Sequence, residues 1–209
     1  MSLLERVHGG YVGTRRSRVL SDHFAALIPR NARLLDVGCG DGLLAYMIIR
    51  KRPDIALRGI DVLIREQNYI PVTAFDGRVI PYADASFDVV MFVDVLHHTS
   101  DPMILLREAV RVARKALVIK DHTRNGFLAG PTLRLMDWFG NARHGVALPY
   151  NYWSQEKWFK AWETLDLTIG VWEKTLGLYP RPAGWLFERS LHFIARLDLN
   201  EEQVTASER

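Results

Sequence analysis

A lone cysteine, Cys39, rules out any internal disulfide in this 209-residue chain. Its fold must rest on a hydrophobic core, and a reducing, cytoplasmic setting is the expectation. Long apolar runs are missing too. The best candidate, "FDVVMFVDVL" (87–96), is too short to span a membrane and carries acids. The start, "MSLLERVHGG", has no basic segment followed by a long apolar stretch, so no secretory signal is expected. A strong excess of one charge is also absent: 27 Lys and Arg against 24 Asp and Glu leave a net charge of +3, which does not itself point to nucleic acid. Arg15, Arg16 and Arg18 cluster near the start. Without interleaved aromatics or a nucleic-acid motif, they read as a solvated helix face. No histidine stands among acids at a metal-ligand spacing, so no metal is expected.

What remains is 48% hydrophobic and 24% charged, the make-up of a globular chain long enough for one domain. Residues 17–28 place Val19, Leu20, Phe24, Leu27 and Ile28 at helical spacing before Pro29. Short apolar runs at 32–39, 55–63, 71–77, 87–96 and 115–122 predict five strands. Helices are predicted at 43–52 and at 101–114, the latter with Asp101 as cap and Pro102 at its first position. This alternation of apolar strands and helices predicts an α/β fold with a parallel sheet covered on both faces. The pattern then changes: 154–165 is an amphipathic helix carrying Trp158, Phe159, Trp162 and Leu165. The stretches 166–176 and 190–198 read as two strands with no room for a crossover helix, hence antiparallel. A single domain over 1–198 is expected, with a polar, disordered tail from 199 to 209.

The first strand runs directly into "GCGDG" and then a helix, placing Gly38, Gly40 and Gly42 in a tight turn where a ligand can touch the backbone. A dinucleotide site would show G-x-G-x-x-G. Here the spacing is G-x-G-x-G, and Asp36 and Asp41 would repel a pyrophosphate. Asp36 suits a ligand bearing an ammonium group far better.

These residues resemble the class I S-adenosylmethionine (SAM) dependent methyltransferases, in particular the small-molecule, type 11 branch. Four elements in order carry the resemblance: "LLDVGCGDG", Asp61, Asp76 in "AFDGRVIPYADASFD", and "SFDVVMFVDVLHH". Ile80 departs mildly, standing where leucine is usual. The resemblance implies a Rossmann-like, seven-stranded, mostly parallel sheet in the order 3-2-1-4-5-7-6, its last strand antiparallel. It also implies roles: Asp36 for the methionine amino group, Gly38, Gly40 and Gly42 facing the cofactor, and Asp61 for the ribose. Val62 would pack on the adenine, with Asp76 and the adjoining Gly77 at its amino group. Tyr11 is a further candidate contact.

Strand ends place His97 and His98 after the fourth strand and Asp121 and His122 after the fifth. His98, Asp121 and His122 are therefore candidate proton acceptors. The segment 123–153 is a long insertion at the ligand-binding edge, rich in aromatics and polar handles such as Trp138, Asn141, His144 and Tyr150. It is expected to cap the substrate, with Arg181 and Trp185 at the same edge. The expected function is methyl transfer from SAM to a small, partly apolar or aromatic acceptor, with release of S-adenosylhomocysteine (SAH). Oxygen is the first choice of accepting atom, then carbon, then nitrogen. A lipid-like acceptor and peripheral contact with a membrane fit the lid aromatics and basic surface. The alternatives are a SAM-binding partner or regulator without catalysis, and an RNA methyltransferase, for which the sequence offers no RNA-binding element.

Overall fold

The computed structural model describes residues 13–126, 128–134, 151–179, 184, 188 and 191–200. Tyr11, residues 135–150 of the insertion, Arg181, Trp185 and the tail from 201 lie outside the described residues.

Helix α1 (Gly13–Leu27) is followed by β1 (Arg33–Val37), α2 (Leu43–Lys51), β2 (Ala56–Asp61), β3 (Val72–Ala74) and β4 (Phe87–Val93). A 3-10 turn (Leu96–His98), α3 (Pro102–Val112), β5 (Ala113–His122), α4 (Gln155–Thr164), β6 (Leu167–Glu173) and β7 (His192–Leu199) complete the order. The seven strands form one sheet in the order β3-β2-β1-β4-β5-β7-β6. β3, β2, β1, β4 and β5 are mutually parallel, while β7 runs antiparallel to both β5 and β6. The expected fold class, strand order and late antiparallel strand are all present.

Several boundaries differ from the sequence reading. α1 begins at Gly13 rather than at residue 17, and β6 stops at Glu173 rather than at 176. Leu199, assigned to the tail, belongs to β7, where it pairs with Leu167. The predicted cap of α3 holds: Asp101 accepts from the Met103 amide, and Pro102 stands at the helix start. Ser154 caps α4 in the same way, accepting from the Lys157 amide.

Strand alternation divides the core between the two faces of the sheet. Leu34, Val89, Met91 and Val118 face Leu20 and Phe24 of α1 and Ile48 of α2. Their neighbours Leu35, Val90, Phe92 and Leu117 face Leu106 of α3 and Trp158 and Trp162 of α4. Trp162 is only 1% exposed and lies among Trp158, Phe159, Trp172 and Phe193, with ring centroids 5.5–5.9 Å away. Trp162→Ala is expected to cost about 3–5 kcal/mol, because this rigid aromatic wall cannot collapse into the void. Urea denaturation would show the loss as a lower midpoint at unchanged slope.

Candidate active site

Strand order reverses between β2-β1 and β4-β5, and a crevice opens there at the carboxyl ends of the strands. The glycine turn occupies it. Gly38 donates to the Ile60 carbonyl at 2.8 Å, tying the end of β1 to β2. Gly38, Gly40 and Gly42 all have positive φ, at 75°, 61° and 77°. The space around them differs. A Cβ on Gly38 would meet Val95 at 2.5 Å and one on Gly42 would meet Ile70 at 2.3 Å, whereas one on Gly40 would meet nothing within 4 Å. Two glycines thus permit close packing, and the middle one faces open space.

Asp61 fixes this turn. Its Oδ2 accepts from the Gly40 amide at 2.8 Å and its Oδ1 from the Leu63 amide at 2.9 Å. Asp36, only 3% exposed, stands beside it, and its carboxyl has no hydrogen-bond partner among the described residues. Burial, followed by the charge of Asp61, pushes Asp36 up to about 8. Arg16 of α1, Asp36, Gly38, Leu43 and Asp94 line a cavity next to the turn. Arg16 is hydrogen-bonded to Asp94 across it. It is thus part of the site rather than the solvated helix face read from the sequence, while Arg18 is exposed as expected.

On the far side of Asp61, Val62 and Val79 are 64% and 59% exposed, an open apolar rim. A Cβ on Gly77 would lie 3.1 Å from Val62, so these two predicted contacts are neighbours. Asp76 is solvent-exposed. Its Oδ1 accepts from the Arg78 and Val79 amides, both at 2.8 Å, and these amides hold its carboxyl below the ordinary value. Asp76 therefore shapes the loop beside the rim.

The ends of β4, β5 and β7 bring a second group together. The Asp121 carboxylate accepts from His97 Nδ1 at 2.6 Å, from the His122 amide at 2.7 Å and from the Leu96 amide at 3.1 Å. Burial opposes its ionisation, but His97 and these hydrogen bonds prevail and hold it well below the carboxylate range. Asp94 accepts from Arg16 and from Lys120, whose Nζ also lies 3.2 Å from His192 Nδ1. Burial lowers Lys120 to about 8, and burial with Lys120 beside it lowers His122 to about 4. His122 is thus a neutral imidazole at neutral pH. Its Nδ1 is 3.5 Å from both Asp94 Oδ1 and Asp121 Oδ1, beyond a good hydrogen bond. His98 is only half-buried and its ring packs 4.0 Å from that of His97.

Donor atoms of Asp94, His97, Asp121 and His122 lie within 4.8 Å of one another, close enough for a metal ion. Their negative charge is already matched. Lys120 and Arg16 occupy Asp94, and three donors occupy Asp121, so an added dication would sit against a buried ammonium. The acids of this cluster are thus engaged in ion pairs and hydrogen bonds with neighbouring groups of the chain.

Sequence reasoning missed His192, Lys120 and Asp94. His192 pairs with His122 in register, but β7 lies 70 residues along the chain, and nothing in "SLHFIARLD" announces that pairing. Lys120 could have been found, since a lysine inside an otherwise apolar strand signals a buried charge needing a partner.

This crevice and sheet order define a class I, Rossmann-like methyltransferase fold. Residues 35–117, from β1 into β5, match the family model described as a methyltransferase domain. Among curated relatives, the chain is similar to 27-O-demethylrifamycin SV methyltransferase of Amycolatopsis mediterranei (strain S699), 33% identical over 131 residues. That match covers 53% of this chain and 48% of the relative. Ajmaline N-methyltransferase of Rauvolfia serpentina is 28% identical over 147 residues, covering 55% and 50%. The chain spans about half the length of the curated relatives it matches. Two solved structures share the fold: a methyltransferase bound to the Trm112 activator of Haloferax volcanii, and the [4+2]-cyclase SpnF. The first has a TM-score of 0.66 at 14% identity, covering 95% and 98% of the two chains. The second has 0.62 at 19%, covering 87% and 80%. No helix among the described residues is long and apolar enough to cross a membrane.

Proposed function

We propose that this protein transfers a methyl group from SAM to a small, partly apolar or aromatic acceptor, releasing SAH. The observation that carries the reading is the buried carboxyl of Asp36, without a hydrogen-bond partner among the described residues, beside the Asp61-anchored glycine turn. An amino-acid ligand fits that arrangement. Asp36 would take its ammonium group and Arg16 its carboxylate, while the open side of Gly40 would leave room for the ligand to approach the backbone. Asp61 retains acceptor capacity for ribose hydroxyls, with Val62 and Val79 as apolar surface for a base and Asp76 and Gly77 at its edge.

SAM supplies a methyl on a cationic sulfur, so holding the acceptor in line contributes most, with roughly 7–11 kcal/mol available from orientation. Among the candidate bases, neutral His122 is the best proton acceptor. Asp121, held by three donors, orients His97 and the turn around it, and His98 shapes the wall. A hydroxyl acceptor suits this base, which keeps oxygen as the first choice of accepting atom.

Calorimetric titration with SAM and SAH, alongside Asp61→Ala, tests the reading. Micromolar binding is expected, weakened roughly a hundredfold or more in the variant, which loses charge-assisted bonds to the ligand and to the Gly40 amide. Intact, folded protein that binds neither ligand would overturn it.

A further inference from the structure

Asp94 stands between two places. One oxygen, Oδ2, takes Arg16 at the cavity wall, and the other, Oδ1, takes Lys120 and faces His122 Nδ1 at 3.5 Å. Among the described residues lining the cavity, Arg16 alone is basic. A ligand whose ammonium is held at Asp36 would present its carboxylate to Arg16, in competition with Asp94. Positive φ at Asp94 (56°) fixes this bridge in a tight turn just after β4.

We infer that Arg16 and Asp94 make the histidine cluster responsive to the cofactor: a carboxylate in the cavity draws Arg16 from Asp94, and Asp94, then paired with Lys120 alone, better stabilises a proton taken up by His122. Asp94 is then a positioning residue for the base, whose hold on a transferred proton is stronger when the cofactor is in place. The inference rests on the methyltransferase reading above.

The other groups around His122 set the background. Lys120 and Asp121 lie on its own strand, His97 on the 3-10 turn with its ring 4.7 Å away, and His192 on β7 at 4.8 Å. Tyr152, preceding α4, packs at 5.9 Å. Lys120, His97 and His192 disfavour a positive imidazole and Asp121 favours one. Asp94 is the group whose influence Arg16 can mask.

The test uses the full chain with 13C-labelled histidine, following ring C–H signals by NMR across pH with and without SAH at saturation. His122→Gln identifies the signal. SAH is expected to raise the His122 midpoint by about one pH unit. In Arg16→Gln the midpoint is expected to be raised already without ligand and to move no further with SAH. In Asp94→Asn it is expected to stay put although calorimetry still shows SAH binding. Circular dichroism confirms that each variant is folded. SAH that binds without moving His122, or an Arg16→Gln midpoint equal to that of the ligand-free wild type, overturns the inference alone. Failure of SAH to bind removes the methyltransferase reading, and the ligand-free Arg16→Gln comparison still decides whether Arg16 masks Asp94.

Discussion

Asp36→Asn is expected to stabilise the ligand-free protein at neutral pH while weakening SAM binding roughly a hundredfold. Burial and Asp61 move Asp36 from its ordinary 3.8 to about 8. The folded chain therefore keeps this proton over a range in which the unfolded chain has released it, and stability falls as pH rises from about 4 towards 8. By pH 7 the accumulated cost is about 4 kcal/mol, which asparagine, neutral at every pH, does not carry. Melting temperature should rise on the order of 10 °C at pH 7 and hardly change at pH 4. The same carboxyl gives a second signal. An ammonium ligand stabilises the carboxylate, so SAM binding at pH 7 should release a proton, measurable by calorimetry in buffers of different ionisation heat, and Asp36→Asn should abolish that release. A variant that melts no higher than wild type at pH 7 would show that Asp36 is not held neutral by its surroundings. Here stability and function pull in opposite directions at one residue, as they do where a site stores an unsatisfied charge for its ligand.

The glycine turn yields the second large effect, and it separates residues that look equivalent in the sequence. Gly42→Ala forces a side chain into a positive φ and drives its Cβ to 2.3 Å from Ile70, a buried core residue. The expected loss is about 3 kcal/mol or more, combining left-handed strain with overpacking. Gly40→Ala meets the same backbone strain but no neighbour within 4 Å, so it should cost only about 1 kcal/mol. Its methyl projects into the space where the ligand would lie against the turn, so SAM affinity should fall while the fold persists. Thermal melts paired with SAM titrations distinguish the two. Equal destabilisation by both, or unchanged affinity in Gly40→Ala, would mean that the turn serves packing alone.

Much of this was legible in the residues because the signals are local. Apolar alternation marks strands, Asp101-Pro102 marks a helix start, and three glycines between a strand and a helix mark a tight turn. Each depends on neighbours within a few positions, where backbone stereochemistry alone decides the outcome. The same holds for Asp36 and Asp61, each placed at the end of a strand by its position in the run. The boundaries of α1 and β6 were less legible, since helix and strand ends depend on what packs against them.

The histidine cluster belongs to the other kind. Asp94, Lys120, His122 and His192 come from three strand ends separated by up to 98 residues of chain, and Arg16 reaches them from the first helix. A sequence shows which groups can ionise, but which charges neutralise one another depends on distances that only the packed sheet sets. The sequence by itself determined the order of strands and helices, the glycine turn and the acids beside it. Only the tertiary structure decided that Arg16 faces Asp94, that Asp94 faces His122, and that Asp36 has no hydrogen-bond partner among the described residues, because desolvation and pairing arise when distant segments exclude water together.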